Sequence, residues 1–380
     1  MKKYAYALLL LFFIFKNIAQ AQPLIRTSFS LEQLTLPQGF QIEMYADQIP
    51  GARTMAISDA GVIFVGTRGQ GKVYALIPPK NPQEKMRTVT LLSGLNEPNG
   101  VAYHQGDLYV AEIHRILKYP NVDKHIDNMP APVVVNESLP TEKGHGYRVI
   151  QVGPDNQLYI AIGMPCNTCD YRKKQPLFGT ISRMSLDGKT LTPFAMGIRN
   201  SVGFDFHPET KELWFTDNGQ DLLGDDIPPD EINRADKAGL DFGFPYVYGD
   251  DTLAPGYNAE DIKGLSFEKP TYKLQAHVAP LGLIFYTGKQ FPSEYQNQMF
   301  VAFHGSWNRS KKVGYEVVLL TLEGNRITKM QPFVTGFLEG QIGWGRPVDF
   351  LNLPDGSLLI TDDFNGSIYR VFWKKNDELN

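Results

Sequence analysis

The chain has 380 residues, a net charge of −4, 42% hydrophobic residues, 35 glycines, 26 prolines and two cysteines. A near-neutral, slightly acidic balance with no basic stripe argues against a nucleic-acid partner. The length could hold two domains, but all-β chains often exceed the usual domain size without splitting. The even spread of glycine and proline fits many short strands and turns.

In chain order, "MKKYAYALLLLFFIFKNIAQAQ" comes first. Two lysines precede an apolar run and Ala19-Gln20-Ala21 supplies small residues at a cleavage spacing. This predicts a secretory signal peptide over residues 1–21, with a mature chain from near Gln22 and an N-terminal extension over 22–35. The apolar run is too short for a convincing membrane span, and nothing later resembles one. The expected location is therefore periplasmic or secreted.

Residues 36–374 read as one repeat series, followed by a short tail over 375–380. "GARTMAISDAGVIFVGTRGQGKVYAL" runs strand, turn, strand, turn, strand. "EPNGVAYHQGDLYVAEIHRILKY" and "GHGYRVIQVGPDNQLYIAIG" keep that order, as do "GIRNSVGFDFHPETKELWFTDNG", "APLGLIFYTGKQFPSEYQNQMFVAFHG" and "GRPVDFLNLPDGSLLITDDFNGSIYRVFW". Each opens small or polar, alternates apolar residues at period two, turns at Gly, Pro or Asp, and ends near Asp, Glu or Gly. Six such units predict an all-β, six-bladed β-propeller rather than a pair of β-sandwiches. "GFQIEMYA", ahead of the first unit, has no partner of its own. It is expected to close the ring as the outer strand of the last blade, because an open ring would expose edge strands.

In a propeller, the starts of the innermost strands lie at one mouth of the central channel. Asn99, His145, Arg199 with Asn200, His277 and Arg346 then share a rim, joined from strand ends by Asp217, Asn218 and His304. His145 is flanked by glycines that would leave room for a ligand. A lone histidine more often caps a turn, but here the rim position favours chemistry. A neutral imidazole suits proton abstraction from a hydroxyl. Arg199 and Asn200 suit a carbonyl-rich anion, since guanidinium matches carboxylate geometry. The stretch from Asp217 to Asp250 reads as an acidic loop whose carboxylates and carbonyls could take calcium, although it lacks EF-hand spacing. His304, Trp307, Asn308 and Arg309 combine cations with an aromatic surface, suited to a flat charged ligand.

Cys166 and Cys169 sit in "PCNTCD". A local disulfide ranks first in an exported chain, free thiols second and redox catalysis a distant third. A zinc site lacks two further nearby ligands, and a haem motif would need histidine where Asp170 stands.

Taken together, "GHGYRVIQVGPDNQLYIAIG", "GIRNSVGFDFHP", "LWFTDNGQD" with "PDEIN" and "GFPY", "FVAFHGSWNRS", and "GRPVDF" with "DGSLLITDD" carry a resemblance. The chain resembles the soluble quinoprotein sugar dehydrogenases, the glucose/sorbosone dehydrogenase family that uses pyrroloquinoline quinone (PQQ), and most closely their sorbosone-type branch. The similarity spans about Leu36 to Trp373. It implies PQQ over the channel mouth, held by calcium. It implies His145 as catalytic base, Arg199 and Asn200 on the quinone, and Arg346 on a cofactor carboxylate. It also implies calcium on the carbonyls of Gly219 and Gln220, with Glu231 and Tyr246 near a second calcium position. The substrate implied is a sugar or aldehyde, and electrons leave to an external acceptor.

The chain departs from the glucose-type pattern in four places. Trp344-Gly345-Arg346 stands where Arg-x-Arg is common, so one cofactor arginine is absent. His304 replaces a lysine, with Arg309 expected to compensate. Gln220 replaces a proline, and the region before Asn99 keeps no clear glutamine contact. Two other readings are a calcium-dependent lactonase-type propeller and a non-catalytic extracellular binding propeller. The first would need carboxylates and asparagines converging on the channel centre. The second draws on the missing arginine and lysine.

Overall fold

A computed structural model describes residues 30–81 and 83–374. The expected signal peptide, most of the N-terminal extension and the C-terminal tail lie outside the described residues. Among those described there is no α-helix, only three short 3₁₀ turns, and no helix is long and apolar enough to cross a membrane.

Six antiparallel sheets form the blades of a propeller, each starting from its innermost strand. Those strands are Ala52–Ile57, Gly100–His104, Ile150–Val152, Phe204–Phe206, Pro280–Phe285 and Pro347–Asn352, in blades one to six. They pack against one another around a channel. Gln151 of blade three donates to Asp205 of blade four at 2.9 Å, linking that pair.

Ring closure follows the expectation. Phe40–Ala46 pairs antiparallel with Ser367–Trp373, the third strand of blade six. The first strand in the chain thus becomes the outer edge of the last blade, which leaves no inner edge unpaired. The Phe40 ring meets Phe291, Tyr295, Phe333 and Trp373 edge-on at 4.7–5.0 Å. Edge-to-face pairs contribute about 0.5–1.5 kcal/mol each beyond area burial.

Period-two patterning explains the core. In Ile63–Thr67, Phe64 faces blade two, whereas Ile63 and Val65 face blade six. In Leu358–Asp362, Leu358 and Ile360 face blade five and Leu359 faces blade one. Second strands are apolar on both faces because each blade is covered on both sides. The core is accordingly divided into six apolar clusters, one per blade junction.

Two features differ from the sequence reading. The acidic stretch is not all loop: Glu231–Ala235 is the third strand of blade four, paired with Leu213–Asp217. Its Ile232 and Ala235 enter separate clusters, so alternation was present beneath the charges. Leu240–Asp241 then adds a fifth, parallel strand to blade three.

Candidate active site

The strand starts and second-strand ends enclose a cavity of about 230 Å³ at one mouth of the channel. It brings together His145, Arg199, Asn200, His304 and Arg346, with Gly219 at its edge.

His145 is held by local backbone. Its φ is 46°, and its Nδ1 lies 2.6 Å from the Met164 carbonyl oxygen. A carbonyl only accepts, so Nδ1 carries the proton and Nε2 keeps its lone pair. Burial first, and the Arg199 charge second, push its pKa down to about 4. Close packing around the histidine depends on its neighbour Gly144 and on the more distant Gly163. A Cβ on Gly144 would lie 2.1 Å from the Pro165 carbonyl oxygen, and one on Gly163 would lie 2.7 Å from the His145 Cβ. They let the segment from Gly163 to Pro165 press against the histidine.

Arg199 is anchored by the disulfide loop. Cys166 and Cys169 are bonded, and between them Asn167 accepts from Arg199 through both its carbonyl and side-chain oxygens, at 3.2 and 2.8 Å. Arg199 also donates to the Asn218 carbonyl and to Asp221 at 2.7 Å. Those four bonds leave one of the five guanidinium hydrogens uncommitted.

Three buried carboxylates hold the surrounding loop. Asp217 accepts from the backbone N–H groups of Arg199 and Asn200. Asp230 accepts from those of Gly219 and Ala279, and Glu231 from that of Gly249 and from Asn233. Burial raises their pKa values to about 6, 7 and 8 respectively.

Among the described residues no three His, Cys, Asp or Glu side chains converge as metal ligands. A cation here would depend on carbonyl oxygens. Those of Gly219 and Gln220 accept no hydrogen bond from described residues. Both residues line a second, small cavity of about 30 Å³ with Glu231 and Tyr248. This donor set fits a hard cation. Tyr246 does not join it: its hydroxyl donates to Asp170 at 2.7 Å, and its carbonyl accepts from Ala254.

Two expected cofactor contacts are displaced. Asn99 is fully buried behind the cavity, where Oδ1 accepts from Arg53 at 2.9 Å and Nδ2 donates to the Arg148 carbonyl. Asn99 immediately precedes its strand, and the Arg53 guanidinium it supports lines the cavity in its place. Arg309 faces the acidic loop, donating to the carbonyls of Asp225 and Ala276. Its pairing with that loop takes it out of the cavity lining.

His304 lies inside the lining, and its Nε2 is 2.8 Å from Asp363 Oδ1. Arg53 Nη1 donates to the other Asp363 oxygen at 2.9 Å. Burial would raise the Asp363 carboxyl, but His304 and Arg53 outweigh it and hold it well below the usual range. Burial, with Arg346 and Arg53 nearby, lowers the His304 pKa to about 4. We assign a neutral imidazole whose Nε2–H donates to an ionised Asp363.

Arg53, Arg68 and Tyr147 line the cavity and were missed in the sequence. The signal was available. "GART" opens the first innermost strand just as "GIRN" opens the fourth. Arg68 follows the second strand of its blade, as Asn218 and His304 do in theirs.

The comparisons with known proteins agree with this architecture. The family model "Glucose / Sorbosone dehydrogenase" matches residues 122–370. An uncharacterized protein of Borreliella burgdorferi is 38% identical over 356 residues, covering 90% of this chain and 91% of its own. Among solved structures, a Trichoderma reesei carbohydrate-active enzyme of family AA12 superposes with a TM-score of 0.75 at 20% identity, covering 90% of this chain and 98% of its own. The holo PQQ domain of Coprinopsis cinerea pyranose dehydrogenase gives 0.73 at 16% identity, covering 89% and 97%. At those identities the structural likeness speaks for the fold alone. The family match spans the outer strand of blade two and blades three to six, about two thirds of the chain, and on that ground this chain belongs to the glucose/sorbosone dehydrogenase family.

Proposed function

We propose that this chain is a periplasmic or secreted quinoprotein dehydrogenase that oxidises a sugar, aldose or related aldehyde or alcohol, using PQQ and calcium at the strand-start mouth. The observation that carries this reading is the donor set. Four arginines, three histidines, Tyr147 and Trp307 line one cavity of about 230 Å³. Cationic and aromatic groups around a concave site suit a planar polycarboxylate.

The bound quinone would supply the two-electron chemistry, accepting the hydride that the substrate carbon releases. The protein's own residues would do the rest. His145 Nε2 takes the substrate hydroxyl proton, and the Met164 carbonyl keeps the tautomer that makes this possible. Arg346 is fixed by the His304 and Gly305 carbonyls at 2.9 and 2.8 Å and would meet an anionic group. Asn200, with its backbone tied to Asp217, presents its amide to the same space. The carbonyls of Gly219 and Gln220 would hold calcium. Trp307, 67% exposed, offers a ring face at the rim. Electrons then pass to an external acceptor.

Titrating PQQ with calcium into metal-free protein tests the reading. A saturable absorbance change, followed by its reversal on adding aldoses and reoxidation by a dye acceptor, is the expected result. No spectral change, or hydrolysis of lactones without PQQ, would replace it with a binding or hydrolytic function.

A further inference from the structure

The cavity's arginines are not equivalent. Arg53 is paired with Asp363, and Arg199 with Asp221. Each of these guanidinium charges is already met by a carboxylate. Arg346 rests on two carbonyls and makes no ion pair among the described residues. Arg68 is the fourth. Its guanidinium carbon sits 3.8 Å from the centre of the Tyr147 ring, and its Nε is buried with no hydrogen-bond partner. It too makes no ion pair among the described residues.

This arrangement is unusual for a structural arginine. A buried guanidinium N–H without an acceptor is unfavourable, and the stacked ring fixes the fork's plane without satisfying its donors. Tyr147 follows His145 by two residues, so the ring that orients Arg68 is set by the segment that carries the candidate base. Arg68 also occupies the second-strand end that His304 and Asn218 occupy in their own blades.

We propose that Arg68, oriented by Tyr147, is an anion-binding residue that takes a carboxylate of the cofactor. It would supply from blade one the guanidinium absent at Trp344. This rests on the quinoprotein reading above. Arg309, expected to compensate for the lysine that His304 replaces, does not fill this place, since it is spent on the Asp225 loop.

The test is equilibrium binding of PQQ, with calcium, followed by absorbance and independent of turnover. Wild type is compared with Arg68→Met, Arg68→Lys and Arg309→Met. Arg68→Met should weaken PQQ binding about tenfold or more, the scale of one charge-assisted bidentate contact. Arg68→Lys should fall between, keeping the charge but losing the fork, and Arg309→Met should bind as wild type does. Unchanged affinity in Arg68→Met would overturn the assignment while leaving the quinoprotein reading intact. Should Arg68→Met fail to fold, Arg68→Lys decides: unchanged affinity refutes the assignment and weakened affinity supports it. Wild type that binds no PQQ would overturn the quinoprotein reading itself, and the assignment with it.

Discussion

The two ends of the channel both carry polar groups and use them in opposite ways. At the end away from the strand starts, a cavity of about 380 Å³ is lined by Asp205 and Asp349 among others. Asp205 accepts from Gln151, from its own neighbour Phe206 and from Phe285, at 2.8–2.9 Å. Asp349 accepts from Met55 at 3.3 Å, tying blade six to blade one. These carboxylates act as latches between blades. At the strand-start end, the His145 Nε2, the Arg68 Nε and the Gly219 and Gln220 carbonyls keep bonding capacity unspent. The two latching carboxylates are spent on donors within the fold, and the groups at the mouth hold bonding capacity in reserve.

That contrast can be broken at either end. The largest effect is expected from His145→Ala, which should cut turnover by about 10²–10⁴-fold while PQQ binding stays close to wild type. Single-turnover quinone reduction by stopped flow would check it, and undiminished reduction would remove His145 as the base. Next comes Asp205→Ala at the opposite end. It strands three N–H donors, and each unsatisfied donor costs about 1–3 kcal/mol. The urea midpoint should fall markedly with no change in PQQ affinity; a loss of affinity instead would blur the distinction between the two mouths.

A smaller effect is expected from Asn167→Ala. This removes the side-chain oxygen that joins Arg199 to the Asp221 backbone. Asn167 acts through Arg199, so kcat should drop about tenfold with little change in KM. Asn167→Asp, which keeps an acceptor, should recover most of it. Reducing the Cys166–Cys169 bond should move activity in the same direction. The smallest effect is one of pH. A base must be unprotonated, and burial lowers His145 from the ordinary 6.5 to about 4. The limb of kcat/KM set by His145 should therefore lie near 4, well below that of an ordinary histidine. A limb near the ordinary histidine value would show His145 to be more solvated than the structure places it.

Much of the fold was written along the chain. "QLYIAIG" and "SLLITDD" are near-continuous apolar runs because each second strand must serve two neighbouring blades, and that requirement is local. "GFQIEMYA" could be matched to "SIYRVFW" because one orphan strand at the start and a last unit short of its outer strand leave one way to close a ring. The site was legible less evenly. His145, Arg199 and Arg346 reach the mouth by the strand-start rule. Asn99 obeys the same rule in sequence, yet turns inward to carry Arg53. Glu231 was read as part of a loop because its charge masked the Ile232 and Ala235 alternation.

The sequence by itself determined the number of blades, the closure and which strand ends gather at one mouth, since these follow from periodicity and turn chemistry. Only the tertiary structure decided which charges there are already spoken for. Arg53 and Arg68 are both blade-one arginines near the rim, fifteen positions apart in sequence. One lies beside Asp363, more than three hundred residues away in the chain, and the other stacks on Tyr147 and makes no ion pair among the described residues. Pairing between groups so distant is a property of the closed ring, and no local pattern encodes it.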